Sequence, residues 1–175
     1  MNKERKLWIG FALVMSISFS VLGYYGYEIY QEAPPIPTEI VGPGNTVVFT
    51  SEEIKDGQNI WQSIGGQEVG TIWGHGAYVA PDWTADWLHR EAVFILDKLS
   101  EKEYSKTFAE LNEEQQAAMK IRLQKDVRKN TYDKNTGVIT ISQNRIEAIN
   151  YLSKYYEGLF MDNPEFETLR NNYAI

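Results

Sequence analysis

The chain carries two histidines, His75 and His89, and no cysteine, so its means of metal and nucleophilic chemistry are few. A protein zinc site takes three or four ligands, mostly cysteine and histidine at short spacing, and these two imidazoles have no third member. Histidines that make hydrogen bonds in the core or at the surface are the better reading. The carboxylates Glu101, Glu103, Glu110, Glu113 and Glu114 fall on apparent helix surfaces and read as a solvated face. Ser63 precedes two glycines but has no evident base, and neither a Gly-Lys-Ser/Thr phosphate loop nor a Gly-x-Ser-x-Gly turn occurs. The lack of cysteine excludes disulfides, thiolate-held zinc, iron–sulfur clusters and covalently attached c-type haem. It leaves the redox compartment open. A net charge of −7 argues against nucleic acid as a partner, because such binding relies on basic patches.

One stretch resists a bland reading. From Trp73 to Glu91, the residues Trp73, Tyr78, Trp83 and Trp87 lie among glycines and a proline. Tryptophans left free on a loop are costly, so either the core covers them or they form a docking face. Trp73, His75, Trp83, Trp87, His89 and Arg90 are therefore the candidates for an interface. Glycines beside Tyr78 would let a carbonyl approach a ligand or cation closely.

The elements that position this stretch follow from pattern. Leu7 to Tyr27 is a run of 21 residues without charge. As a helix it spans about 30 Å, the thickness of a bilayer's hydrocarbon core. Three basic side chains against one acidic precede it, which predicts a cytoplasmic N-terminus and an outer remainder. Trp8 at one end and Tyr24, Tyr25, Tyr27 and Tyr30 at the other suit the headgroup zones. A cleaved signal peptide would have a shorter core and small residues at its end, where tyrosines stand here, so an uncleaved anchor is expected. Without the first six residues the remainder carries −9, and it gains nothing from an anionic lipid surface.

Residues 1–30 thus read as a cytoplasmic tip and membrane anchor, and residues 31–46, rich in proline and glycine, as an extended connector. Residues 47–175 read as a mainly α domain. Thr50 with Glu53 has the form of a capping box for a helix from about Ser51, which Gly65-Gly66 ends. Residues 65–78 are a glycine-rich structured loop. Helical patterning resumes from Trp83 to about Leu99, then from Asn112 to Lys129, and from Ser142 through Leu159. Between the last two, Asp133-Lys-Asn-Thr-Gly137 followed by Val-Ile-Thr-Ile predicts a small β-hairpin.

The segment Asp56-Gly-Gln-Asn-Ile-Trp-Gln-Ser-Ile-Gly-Gly-Gln-Glu-Val-Gly70, continued by Thr-Ile-Trp-Gly-His-Gly-Ala-Tyr-Val-Ala-Pro-Asp-Trp83 and Trp87-Leu-His-Arg-Glu-Ala92, resembles the N-terminal region of quinol-dependent nitric oxide reductase. The likeness includes the anchor and extends, less distinctively, to the C-terminus. It implies a cytochrome c-like outer domain that has lost its haem. Haem-bearing relatives carry Cys-x-x-Cys-His shortly before a Gly-Ala-Tyr segment; alignment on Gly76-Ala-Tyr78 puts Gly66 and Val69 at the cysteines and Gly70 at the axial histidine. Trp61, Trp73 and nearby aromatics would then refill the pocket.

The resemblance also implies that Gly76, through its carbonyl, and Tyr78, through its hydroxyl, contribute to a calcium site at the interface with the catalytic region. Two oxygens fall short of the six to eight that calcium takes, so carboxylates and haem propionates must complete it. The family reduces two nitric oxide molecules to nitrous oxide and water with electrons from membrane quinol. Haem b, haem b3 and the nonhaem iron lie in a multi-helix membrane region, fused or separate. No ligand to them is expected in this chain, which by itself is not expected to be active. Two other readings remain: a freestanding membrane-anchored binding or assembly module, and an electron-carrying cytochrome, against which the missing cysteines count. Fold analogy alone does not choose between respiration and detoxification as the role.

Overall fold

The computed structural model describes residues 2–72, 74 and 81–173. It divides into two compact units, residues 1–35 and residues 36–175. The first is a single helix, α1 (Lys3–Glu32), none of whose residues is buried. It is long and apolar enough to cross a membrane, and it extends the uncharged run by about a turn at each end. Ser20 donates its hydroxyl to the Ser16 carbonyl at 2.8 Å, which satisfies that group in an apolar setting.

The second unit is mainly helical, as expected, with a small sheet. Strands β1 (Glu39–Val41) and β2 (Val47–Thr50) pair antiparallel around a turn at Pro43–Asn45, and the register shifts between Ile40 and Val41. The stretch expected to be only a connector therefore supplies a strand. Its prolines flank Glu39–Val41 without interrupting it, so the backbone donors and acceptors there are free to pair.

Helix α2 (Ser51–Ser63) follows β2 directly and opens with the predicted box. Thr50 N–H donates to Glu53 at 2.8 Å, and Glu53 N–H donates back to the Thr50 hydroxyl oxygen at 3.3 Å. Hydrogen bonds from Thr50, through its N–H and its hydroxyl, hold the Glu53 carboxyl below the usual carboxylate range. Helix α3 (Trp83–Tyr104) is capped by Asp82, which accepts from Thr84 N–H at 3.0 Å, and it ends at Ser105 in the left-handed region. It outruns the predicted end at Leu99 because Ser100 is buried with its hydroxyl bonded to the Leu96 carbonyl at 2.7 Å. Asn112 and Gln115 cap α4 (Glu113–Val127) reciprocally, and Ser142 caps α5 (Gln143–Phe160). A short α6 (Glu167–Tyr173) closes the described chain.

The expected hairpin is modified. Asp133 forms the turn, accepting from Asn135 N–H at 2.9 Å and the Thr136 hydroxyl at 3.0 Å. Its first arm contributes one antiparallel bridge, Tyr132 to Ile139. The second arm, β3 (Val138–Thr140), instead pairs in parallel with β1, giving the order β2-β1-β3. The arm before the turn, Asn130-Thr131-Tyr132, offers one large ring for cross-strand packing. Ile40 and Val41 of β1 are the better partner.

Helices α3 and α5 run antiparallel, since Trp83 meets Phe160, Asp86 meets Tyr156 and Phe94 meets Tyr151. Ile95, Leu152 and Leu159 are fully buried. A second cluster of Leu96, Leu111 and Met119 joins α3 to α4, with Leu99, Tyr104 and Phe108 against it. One charge lies inside this apolar frame. Glu91 is 2 % exposed, and its carboxylate takes the Arg145 Nε–H of α5 at 2.7 Å. Removing one partner of such a pair strands a buried charge, which costs more than the pair contributes. Arg145→Met is expected to lower stability by about 3 kcal/mol, the lower end for breaking a buried pair because Arg145 itself is partly exposed. Chemical denaturation of the two proteins measures it. A loss of only about 0.5 kcal/mol, the size of an exposed ion pair, would mean that solvent screens Glu91 after all.

Candidate functional site

The site is built where α2, the following loop and α3 meet α5. Gly65, at φ +72°, turns the chain out of α2 in a conformation that a side chain resists. The chain then passes beneath two indoles. The Trp61 ring lies on Gly66, so a Cβ there would strike Cδ2, Cε2 and Cε3. The Trp83 indole lies on Gly70, so a Cβ there would strike Nε1, Cδ1 and Cε2. Thr71 N–H donates to the Pro81 carbonyl at 2.8 Å and Trp83 N–H to the Thr71 carbonyl at 2.9 Å, closing the base of the loop.

Trp83 is buried, with ring edges against Phe160 at 5.2 Å, Tyr173 at 5.8 Å and Tyr156 at 6.2 Å between centroids. One turn on, Trp87 stacks on Tyr156 at 5.5 Å and 12°. Trp61 meets Phe160 at 6.0 Å. Between these rings lies an open apolar groove of about 420 Å³, rimmed by Ile72, Leu88 and Phe160. Those three remain exposed by 39 %, 49 % and 45 %, so the groove is an outward face. Trp61 Nε1 and Trp83 Nε1 are both buried without an acceptor.

A polar cluster adjoins the aromatics. Asp86 Oδ2 accepts from Arg90 Nε–H at 2.8 Å and from the Tyr156 hydroxyl at 2.7 Å. Burial pushes the Tyr156 phenol far above its ordinary value, and its bond to Asp86 adds to that. Burial works to lower the Arg90 guanidinium, but the bond and charge of Asp86 outweigh it and raise it. Arg90 also sits 4.0 Å above the Tyr155 ring.

Of the residues singled out by sequence, the fold brings Trp83, Trp87 and Arg90 together around Tyr156. His89 lies exposed beside a second groove, which Arg90, Phe94, Asp97, Lys98 and Tyr151 also line. Gly66 opens a short turn after α2 that Val69 ends, and Gly70 follows it. Trp73, His75, Gly76 and Tyr78 lie outside the described residues. Among the described residues no group of three His, Cys, Asp or Glu could hold a metal ion. Sequence reasoning missed the Asp86–Tyr156 bond, although the Asp86–Arg90 spacing of one helical turn is a readable ion-pair signal.

The sequence model of one family, the cytochrome c-like domain of the nitric oxide reductase protein NorB, matches residues 37–175. The chain belongs to this family. Its match starts one residue inside the compact unit that begins at residue 36. No individual curated protein matches the chain. This NorB cytochrome c-like domain does not fit a covalently held haem. It has no cysteine for the thioether bonds, and indoles fill the space that a side chain at Gly66 or Gly70 would need.

The close approach at Gly70 is testable. Trp83 is hemmed by three other rings and cannot swing aside, so Gly70→Ala is expected to destabilise the domain by about 1–3 kcal/mol through overpacking. Truncating the ring with Trp83→Leu should make the same Gly70→Ala change much cheaper. A double-mutant cycle by denaturant unfolding reads this coupling; additive losses would mean that the two positions do not touch.

Proposed function

We propose that the chain supplies the anchor and outer domain of a quinol-dependent nitric oxide reductase. The overall reaction converts two nitric oxide molecules and one quinol to nitrous oxide, water and quinone. The carrying observation is the NorB-type domain over residues 37–175 in a chain without cysteine. A domain that cannot take haem c offers no haem relay from a soluble electron donor. The reductant must then reach the catalytic region by another route, and a membrane quinol brings two electrons and two protons together.

In this reading α1 crosses the cell membrane with its N-terminus in the cytoplasm, as the basic first residues favour. The outer domain caps the membrane region that holds haem b, haem b3 and the nonhaem iron, and it keeps water from that face. The apolar rim of Ile72, Leu88 and Phe160, with Trp87 behind it, is suited to bury against such a partner. Trp73, His75, His89 and Arg90 are further candidates for that contact. Gly76 and Tyr78 add a carbonyl and a hydroxyl oxygen, both suitable calcium donors, to an interface site completed by the partner.

In cells making the complete reductase, deletion of residues 36–175 is expected to lower both haem b content and nitric oxide turnover. Unchanged haem and turnover in membranes carrying the deletion would end the capping role. The calcium role has a separate readout. Tyr78→Phe is expected to raise the calcium concentration needed to restore turnover after chelation of the whole enzyme; an unshifted calcium titration would remove the hydroxyl from the site.

A further inference from the structure

The aromatic cluster and the acid beside it have the parts of a one-electron relay. Trp83, Trp87, Tyr155, Tyr156 and Tyr173 are all oxidisable side chains. Each lies with its ring centroid 5.3–6.2 Å from another of the set. At such separations an electron vacancy passes readily from ring to ring. Where it settles depends on where its positive charge can be discharged.

The geometry separates these rings. An oxidised indole is a cation that becomes neutral only by giving up its N–H proton. Trp83 Nε1 is buried with no acceptor, so a vacancy there remains an unpaired buried charge. Tyr155 lies under the Arg90 guanidinium at 4.0 Å, which repels positive charge. Tyr156 differs from both. Among the described residues it is the tyrosine whose hydroxyl donates to a carboxylate, at 2.7 Å to Asp86 Oδ2. An oxidised phenol is far more acidic than a carboxylic acid. Its proton can therefore move to Asp86 even though Arg90 bonds the same oxygen.

We propose that Trp87 and Tyr156 form a hole relay that ends in a neutral tyrosyl radical at Tyr156, with the phenolic proton held by Asp86. The oxidant is a strong one-electron acceptor. Nitrogen dioxide, which forms where nitric oxide meets dioxygen, is such a species and leaves as nitrite. It takes one electron from the Trp87 indole, which Tyr156 refills through the stacked faces. The Tyr156 O–H bond breaks as its electron goes to Trp87 and its proton to Asp86. Electron and proton return by the same path when a one-electron donor arrives. This relay is independent of the capping role proposed above.

The full-length chain in detergent micelles, flash-oxidised with a ruthenium tris-bipyridine sensitiser and an irreversible quencher, tests the relay. Transient absorption and freeze-trapped electron paramagnetic resonance distinguish tyrosyl from tryptophanyl radicals. The expected result is a tyrosyl radical that forms more slowly in deuterated water. Tyr156→Phe should remove most of the tyrosyl signal and prolong the tryptophanyl one, whereas Tyr155→Phe should leave the tyrosyl yield unchanged. Asp86→Asn should shift the yield from tyrosyl to tryptophanyl. A tyrosyl yield untouched by Tyr156→Phe overturns the relay. Formation in the unaltered chain without a solvent isotope effect removes Asp86 as proton acceptor, and this test needs no variant to fold.

Discussion

The architecture of the second unit rests on indole rings lying against backbone that carries no side chain. At Gly70 the Trp83 ring occupies the volume a Cβ would need, and that single ring also touches α5 through Tyr156 and Phe160 and α6 through Tyr173. A buried tryptophan removes about 150–250 Å² from water. At about 25 cal/mol per Å² that contributes roughly 4–6 kcal/mol. Its unpaired Nε1 costs about 1–3 kcal/mol. Burial wins, so the unpaired polar atom is tolerated. The Trp61–Gly66 contact repeats the device one turn earlier in the loop. Together they pin residues 66–71 beneath the helices without any covalent link.

With the aromatic end so fixed, the relative slide of α3 and α5 is set by polar bonds. Two carboxylates of α3 meet donors from α5, Asp86 through the Tyr156 hydroxyl and Glu91 through the Arg145 guanidinium. An acidic chain would ordinarily leave such groups in water. Turned inward they gain little net stability, but a slip of either helix would strand at least one charge, so the pair specifies register more than it adds energy. The stacked Phe94 and Tyr151, at 4.9 Å, extend the same register toward the far end of α3.

Local signals in the sequence carry most of the fold. The caps at Thr50, Asn112 and Ser142 are readable because each is settled by residues within one turn. The end of α3 is not, since it depends on a buried serine bonding back to its own helix. The sheet is illegible for a different reason: β1 is three residues among prolines, and its parallel partner lies about a hundred residues on. Pairing at that separation leaves no local trace. At the site, Trp61 and Gly66 lie five residues apart in the chain, so their contact is a local one. The covering of Gly70 by Trp83 has no such signal, because it depends on how the loop folds back onto α3. Asp86 with Tyr156 joins residues seventy apart, beyond the reach of any periodicity.

The tryptophan-rich stretch poses a choice between core and docking face, and among its described residues the fold closes one indole off and leaves another beside open surface. Trp83 is closed off, while Trp87, one turn further along α3, keeps part of its ring beside an open groove. That division follows from helix geometry. Position 83 points back under the loop, and position 87 lies beside Leu88 on the rim, which is exposed by half. Tyr156 touches both rings, edge to face with one and stacked on the other, and it alone of the three has a hydrogen-bond partner for its polar atom among the bonds described. The side that holds the fold and the side that faces outward are therefore joined through one phenol.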